Sequence, residues 1–114
     1  MTVQPREIRR YITIEGRIPF AEWLTSFRDL KTITKIEARL KRVREGNLGN
    51  YRSVGEGVWE LKIDYGPGYR IYFGQIGSTM VILLCGGDKR SQSQDICRAI
   101  EYWKDYRRRE NADQ

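Results

Sequence analysis

Lys62 and Arg70 flank a Gly-Pro-Gly turn in the stretch VWELKIDYGPGYRIYF, Val58 to Phe73. Apolar and polar residues alternate on both sides of that turn, the pattern of a β-hairpin with one buried face. Centring the hairpin on Gly66 pairs Trp59 with Phe73, Leu61 with Ile71 and Ile63 with Tyr69 on the apolar side. The same register sets Lys62 opposite Arg70 and Glu60 opposite Tyr72 on the other side. Two like charges facing each other across a strand pair cost roughly 0.2–1 kcal/mol. Two readings account for them. Glu60, diagonal to Arg70, makes an exposed ion-pair cluster; or the two cations grip a phosphodiester, arginine with two parallel hydrogen bonds and lysine with a compact charge.

A second cationic stretch follows at GGDKRSQ, where a strand gives way to a helix and places Lys89 and Arg90 near a helix N-terminus. Such a terminus adds partial positive charge, and Gly86-Gly87 permits close backbone approach. A third is KTITKIEARLKRVRE, residues 31–45, with six Lys/Arg against two Glu. It holds four of the six net positive charges of the chain. On a helix this leaves Lys35, Arg39, Lys41 and Arg42 on outer faces, either merely solvated or meeting an anionic partner such as RNA.

Other chemistry is poorly supplied. There is no histidine, and the two cysteines, Cys85 and Cys97, are read as reduced packing residues rather than as ligands or a disulfide framework. No metal site and no cofactor are expected. No apolar run reaches membrane-spanning length, and MTVQPREIRRY lacks the apolar core of a signal peptide, so a cytoplasmic protein without membrane association is expected.

The elements that must carry these residues follow from periodicity. REIRRYITI, Arg6 to Ile14, reads as a strand; Phe20, Trp23, Leu24, Phe27 and Leu30 mark a helix, and Ile33, Ile36, Leu40 and Val43 a second one. EGNLGNYRSVGEG reads as a loop. Three strands follow, VWELKID, YRIYF and TMVILLC, the last apolar enough to be covered on both faces. SQSQDICRAIEYWKDYRRR is a closing helix, with Ser91 and Gln94 as a capping box. Trp23, Trp59 and Trp103 fall on apolar stripes and belong to the core; Tyr65 and Tyr72 are the hairpin tyrosines left to stack on a base. At 114 residues the chain makes one α+β domain, residues 1–114, in the order β-α-α-β-β-β-α. Its sheet is antiparallel-dominated with about four strands, packed by two N-terminal helices and one C-terminal helix.

WELKIDYGPGYRIYF followed by ILLCGGDKRSQSQDI resembles the RelE/ParE superfamily of bacterial toxins, and within it the HigB-like addiction module killer branch related to a phage protein. The resemblance covers nearly the whole chain. It implies a RelE-like fold and the toxin of a type II toxin-antitoxin system, held by a cognate antitoxin of helix-turn-helix type. Many members are ribosome-dependent mRNA endoribonucleases that need no metal: the ribose 2′-hydroxyl attacks the adjacent phosphate and leaves a cyclic phosphate. ParE members instead inhibit DNA gyrase, and an inactive binding module is a further alternative. By resemblance Lys62 falls on a catalytic lysine, Arg70 on the arginine that contacts the scissile phosphate, and Lys89 near a second catalytic arginine. Glu60 stands where relatives carry another lysine, and the family's tyrosine at the start of the last helix has no aromatic counterpart near Asp95. Glu60 and Tyr72 remain as candidates for proton transfer, while Lys35, Arg39, Lys41, Arg42 and Arg90 are expected to contact RNA.

Overall fold

A computed structural model describes residues 4–112. The helix starts and stops follow local chemistry. Strand β1, Glu7–Arg10, leads to α1, Pro19–Thr25, whose first-turn proline lacks only an N–H that would have no partner there. Helix α2, Leu30–Arg44, is capped by Asp29, which accepts from Lys31 N at 3.0 Å and from the Thr32 hydroxyl at 3.0 Å. It ends at Gly46 (φ 94°), whose N–H donates to Val43 O while Asn47 N–H donates to Arg42 O. This doubly bonded ending needs a residue that tolerates the left-handed region.

The remaining elements are β2 (Tyr51–Gly55), β3 (Val58–Ile63), β4 (Tyr69–Ile76), β5 (Met80–Asp88) and α3 (Gln92–Ala112), the last preceded by a 3₁₀ turn at Lys89–Ser91. One mixed sheet runs in the order β1-β5-β4-β3-β2, with only β1 and β5 parallel. It has five strands, not four, because Tyr51–Gly55 pairs antiparallel with β3 where a loop was expected. This edge strand is short, almost wholly exposed and rich in turn formers, so it shows no clean alternation. The first strand is shorter than expected: beyond Tyr11 the chain leaves β5 and turns back through Thr13 and Gly16.

The sheet separates two cores. On one side α1 and α2 set Phe20, Leu24, Ile36, Leu40 and Val43 against Leu61, Ile71 and Phe73. On the other, α3 sets Ala99 and Trp103 against Tyr72, Ile82 and Leu84. Central β5 contributes to both, as its continuous apolar run requires. The hairpin register is the expected one, from Trp59↔Phe73 through Lys62↔Arg70 to Ile63↔Tyr69. The polar side of that hairpin is not open to solvent along its length, because α3 packs on it.

Two local expectations change. Asp88 caps the 3₁₀ turn by accepting from Arg90 N at 2.8 Å, so Ser91 already lies inside helical backbone. Its hydroxyl reaches Asp95 Oδ2 at 2.5 Å instead of forming a box with Gln94. Cys85 is buried, whereas Cys97 is exposed rather than a packing residue.

Trp103 lies flat enough on β4 that any Cβ at Gly74 would overlap its ring. Gly74→Ala is therefore expected to cost about 1–3 kcal/mol, seen as a lower urea midpoint at unchanged m-value. An unaltered midpoint would show that α3 shifts freely on the sheet.

Candidate functional site

Three strands and a turn bring the cations together. The β3–β4 register sets Lys62 beside Arg70, and the β4–β5 register sets Gly87 on the other side of Arg70, two residues before Lys89. The connection from Asp64 to Gly68 folds over the end of this ladder, using left-handed backbone at Gly66 (φ 57°) and Gly68 (φ 84°). Lys62, Arg70 and Lys89 thereby line one open cleft of about 470 Å³ together with that turn. The members differ in freedom. Lys62 is 44% exposed and lies 3.8 Å from Asp64, and Lys89 is exposed. The Arg70 side chain is only 11% exposed, held 3.6 Å from Glu60 and donating to Gly68 O at 3.3 Å. The expectation that both hairpin cations project freely outward is thus corrected for Arg70: α3 covers its side of the sheet.

Glu60 and Tyr72 lie behind this cleft, sealed from solvent. Tyr72 is fully buried and donates to Glu60 at 3.1 Å; Gln92, the first residue of α3, donates at 2.8 Å and Arg52 of β2 at 2.9 Å. Burial by itself raises the Glu60 pKa, but the donors Arg52, Gln92 and Tyr72 outweigh it and hold the carboxyl below its ordinary range. Tyr72 is pushed far up, by burial first and by the Glu60 charge second. Neither group meets solvent, so the reading of both as surface proton carriers is corrected. Arg52 and Gln92 are members that sequence reasoning missed, Arg52 because its strand was read as a loop.

A second concavity of about 630 Å³ runs between α2 and the β3 end, lined in part by Lys35, Arg42, Asn50 and Lys62. Lys62, Asp64 and Tyr65 border both hollows, which joins them into one basic path. The Lys35 ammonium lies 5.6 Å from the centroid of the half-buried Tyr65 ring. Arg39 is not on the outer face. It is 4% exposed, donates to Leu48 O and, at 3.5 Å, to Lys62 O, and its pKa is lowered by burial and by Arg42. It clamps the loop after α2, and a Cβ at Gly49 would collide with its guanidinium. Lys41 and Arg90 are exposed but border neither hollow, and Arg90 pairs with Asp88 at 3.3 Å. Among the described residues no helix is long and apolar enough to cross a membrane.

No family model matches the chain. An uncharacterized protein of Haemophilus influenzae is 46% identical over 88 residues, which span 77% of this chain and 89% of that protein.

The Glu60 network makes a stability prediction. A carboxylate with a depressed folded-state pKa contributes stability above its unfolded pKa and loses it as pH falls through the folded value. Glu60→Gln leaves Arg70 without its buried counter-charge and is expected to cost about 3–5 kcal/mol at neutral pH. Denaturation from neutral pH down to the acid limb checks this, since the variant should also lose less stability on acidification. Wild-type stability in the variant would contradict it.

Proposed function

The chain belongs to the same family as this Haemophilus influenzae protein, and we propose that it is a cytoplasmic toxin of the RelE/ParE kind with a RelE-like fold. In this reading it is a metal-independent, ribosome-dependent mRNA endoribonuclease, neutralised by a cognate antitoxin. The observation that supports it is the single cleft shared by Lys62, Arg70 and Lys89, opening through Lys62 into the groove beside α2.

Cleavage through the ribose 2′-hydroxyl needs charge on the equatorial phosphate oxygens, a proton acceptor and a proton donor. Arg70, donating to Gly68 O and 3.6 Å from the Glu60 charge, is suited to the first role, because a guanidinium offers two parallel donors to a phosphate. Lys62 and Lys89 are exposed ammoniums on either side of it and complete the charge. With Glu60 and Tyr72 sealed, these two lysines are the groups assigned to proton transfer at the cleft. Lys35 and Arg42 then guide the flanking phosphates without regard to sequence. The sealed position of Glu60 and Tyr72 also favours a second reading, a RelE-fold module that binds RNA at the ribosome without cutting it.

Primer extension on mRNA translated in a reconstituted system separates the two. Wild-type protein is expected to produce cuts within translated codons, and Lys62→Ala to slow them by about 100-fold or more. Translation arrested on intact mRNA would favour the binding module, and arrested replication with normal translation a gyrase inhibitor. Lys35→Ala and Arg42→Ala should each lower the slope of log affinity against log salt by about 0.7 for single-stranded RNA. Unchanged slopes would remove the groove from the RNA path.

A further inference from the structure

Beside the cleft lies a cavity of another character. β1 follows β5 only as far as Leu83, so β5 continues from Leu84 to Asp88 without a strand on that side among the described residues. A hollow of about 400 Å³ opens along this stretch, between the α1 end and the start of α3. Trp23, Phe27 and Tyr69 wall it as a cluster of rings meeting edge to face, with centroids 5.2, 6.2 and 5.1 Å apart. Each of the three is only partly buried. Its back is that unpaired edge of β5 at Gly86-Gly87, with the Trp23 ring packed on Gly86 from one face of the sheet and the Asp95 carboxylate on Gly87 from the other.

Asp95 makes no hydrogen bond to the Glu60 network among the described residues, although its charge reaches Tyr72. It is 6% exposed, receives a hydrogen bond from the Ser91 hydroxyl at 2.5 Å, and belongs to none of the ion pairs among the described residues. A carboxylate held this far out of water is costly unless donors meet it. Aromatic walls together with a buried carboxylate that has one side-chain donor, Ser91, and Arg98 on the same hollow suit a flat heterocycle that carries adjacent N–H groups.

We propose that this cavity receives a guanine base, with Asp95 accepting from its ring N1–H and its exocyclic amino group. Among the four RNA bases guanine alone offers two neighbouring donors on that edge; adenine sets a ring acceptor against the carboxylate, and uracil flanks its single donor with acceptors. The pairing of Tyr69 with Asp88 and of Arg70 with Gly87 makes the base pocket and the phosphate cleft neighbours on β4 and β5. At a strand spacing of about 4.8 Å, one nucleotide can reach both. The assignment rests on the reading of the cleft as an RNA phosphate site, and it makes Asp95 the residue that sets base preference.

Nucleotide titrations followed by NMR at the Trp23 indole test both parts. Guanosine 5′-monophosphate is expected to bind at least about ten-fold tighter than adenosine 5′-monophosphate, with the inosine nucleotide, which lacks the exocyclic amine, in between. Asp95→Asn keeps the size of the side chain and an acceptor for Ser91, and should bring the guanosine-to-adenosine ratio to unity or reverse it. An amide offers the donor and acceptor pair that adenine needs. Lys62→Ala should weaken both nucleotides equally and leave their ratio alone. Equal wild-type affinity for both, or an unchanged ratio in Asp95→Asn, overturns the guanine pocket and leaves the phosphate cleft standing. A guanine preference with affinity indifferent to Lys62→Ala does the reverse, and no binding of either nucleotide overturns both.

Discussion

One buried carboxylate organises the polar side of the sheet. Glu60, 3% exposed, draws Arg52 from β2, Tyr72 and Arg70 from β4 and Gln92 from α3 onto two oxygens. Four elements therefore converge on a point that no apolar contact defines. In a medium of low polarity the bonds from Arg52, Tyr72 and Gln92 are stronger than in water and each missing partner is costlier, while Arg70 Nε lies 3.6 Å away as a counter-charge without a hydrogen bond. The arrangement resolves a conflict within the chain, since the face on which α3 must pack also carries two cations of the hairpin. Arg70 stays on that face because Glu60 neutralises it; Lys62 lies beyond the cover and keeps its exposure.

The division of labour proposed for the cleft starts from this. A phosphate-binding group is most useful when its geometry is set before the ligand arrives, and for Arg70 the Gly68 carbonyl bond and burial beside the Glu60 charge act in that direction. The groups assigned to proton transfer in the proposed reading, Lys62 and Lys89, are the exposed members of the cleft. Arg39 shows how a basic residue can leave the surface for structural work: its guanidinium bonds to the Leu48 and Lys62 carbonyls, so it shapes the groove wall instead of meeting a ligand. Of the six Lys/Arg of residues 31–45, only Lys35 and Arg42 are left as exposed cations bordering the groove beside α2, where Lys62 joins them.

Strict alternation in VWELKID and YRIYF left one register that buried three apolar pairs, and that register is the one found. The helices were legible for the same reason, since their stripes recur at three and four residues. Two things were not. The strand Tyr51–Gly55 is an exposed edge held by backbone pairing with β3, by the Arg52–Glu60 contact and by the single Tyr51 ring against Trp59, none of which leaves a periodic signal. The placement of α3 was the other. Period-two alternation tells which residues share a side but not whether a helix covers it, so Glu60, Tyr72 and Arg70 read as outward-facing. The small residue that admits α3, Gly74 beneath Trp103, is the local sign that this side is packed. The Asp95 pocket likewise depends on where β1 ends, which composition does not encode.

The central claim is that Lys62, Arg70 and Lys89 hold one phosphate together. It is tested most directly by ¹⁵N NMR of the Arg70 Nε and of the Lys62 and Lys89 ammonium groups during titration with a short RNA made uncleavable by 2′-deoxy substitution. All three signals moving along a single saturation curve, with the Tyr72 ring unchanged, is the predicted result. Shifts confined to Lys35 and Arg42, with the three cleft residues unmoved at saturation, would contradict it.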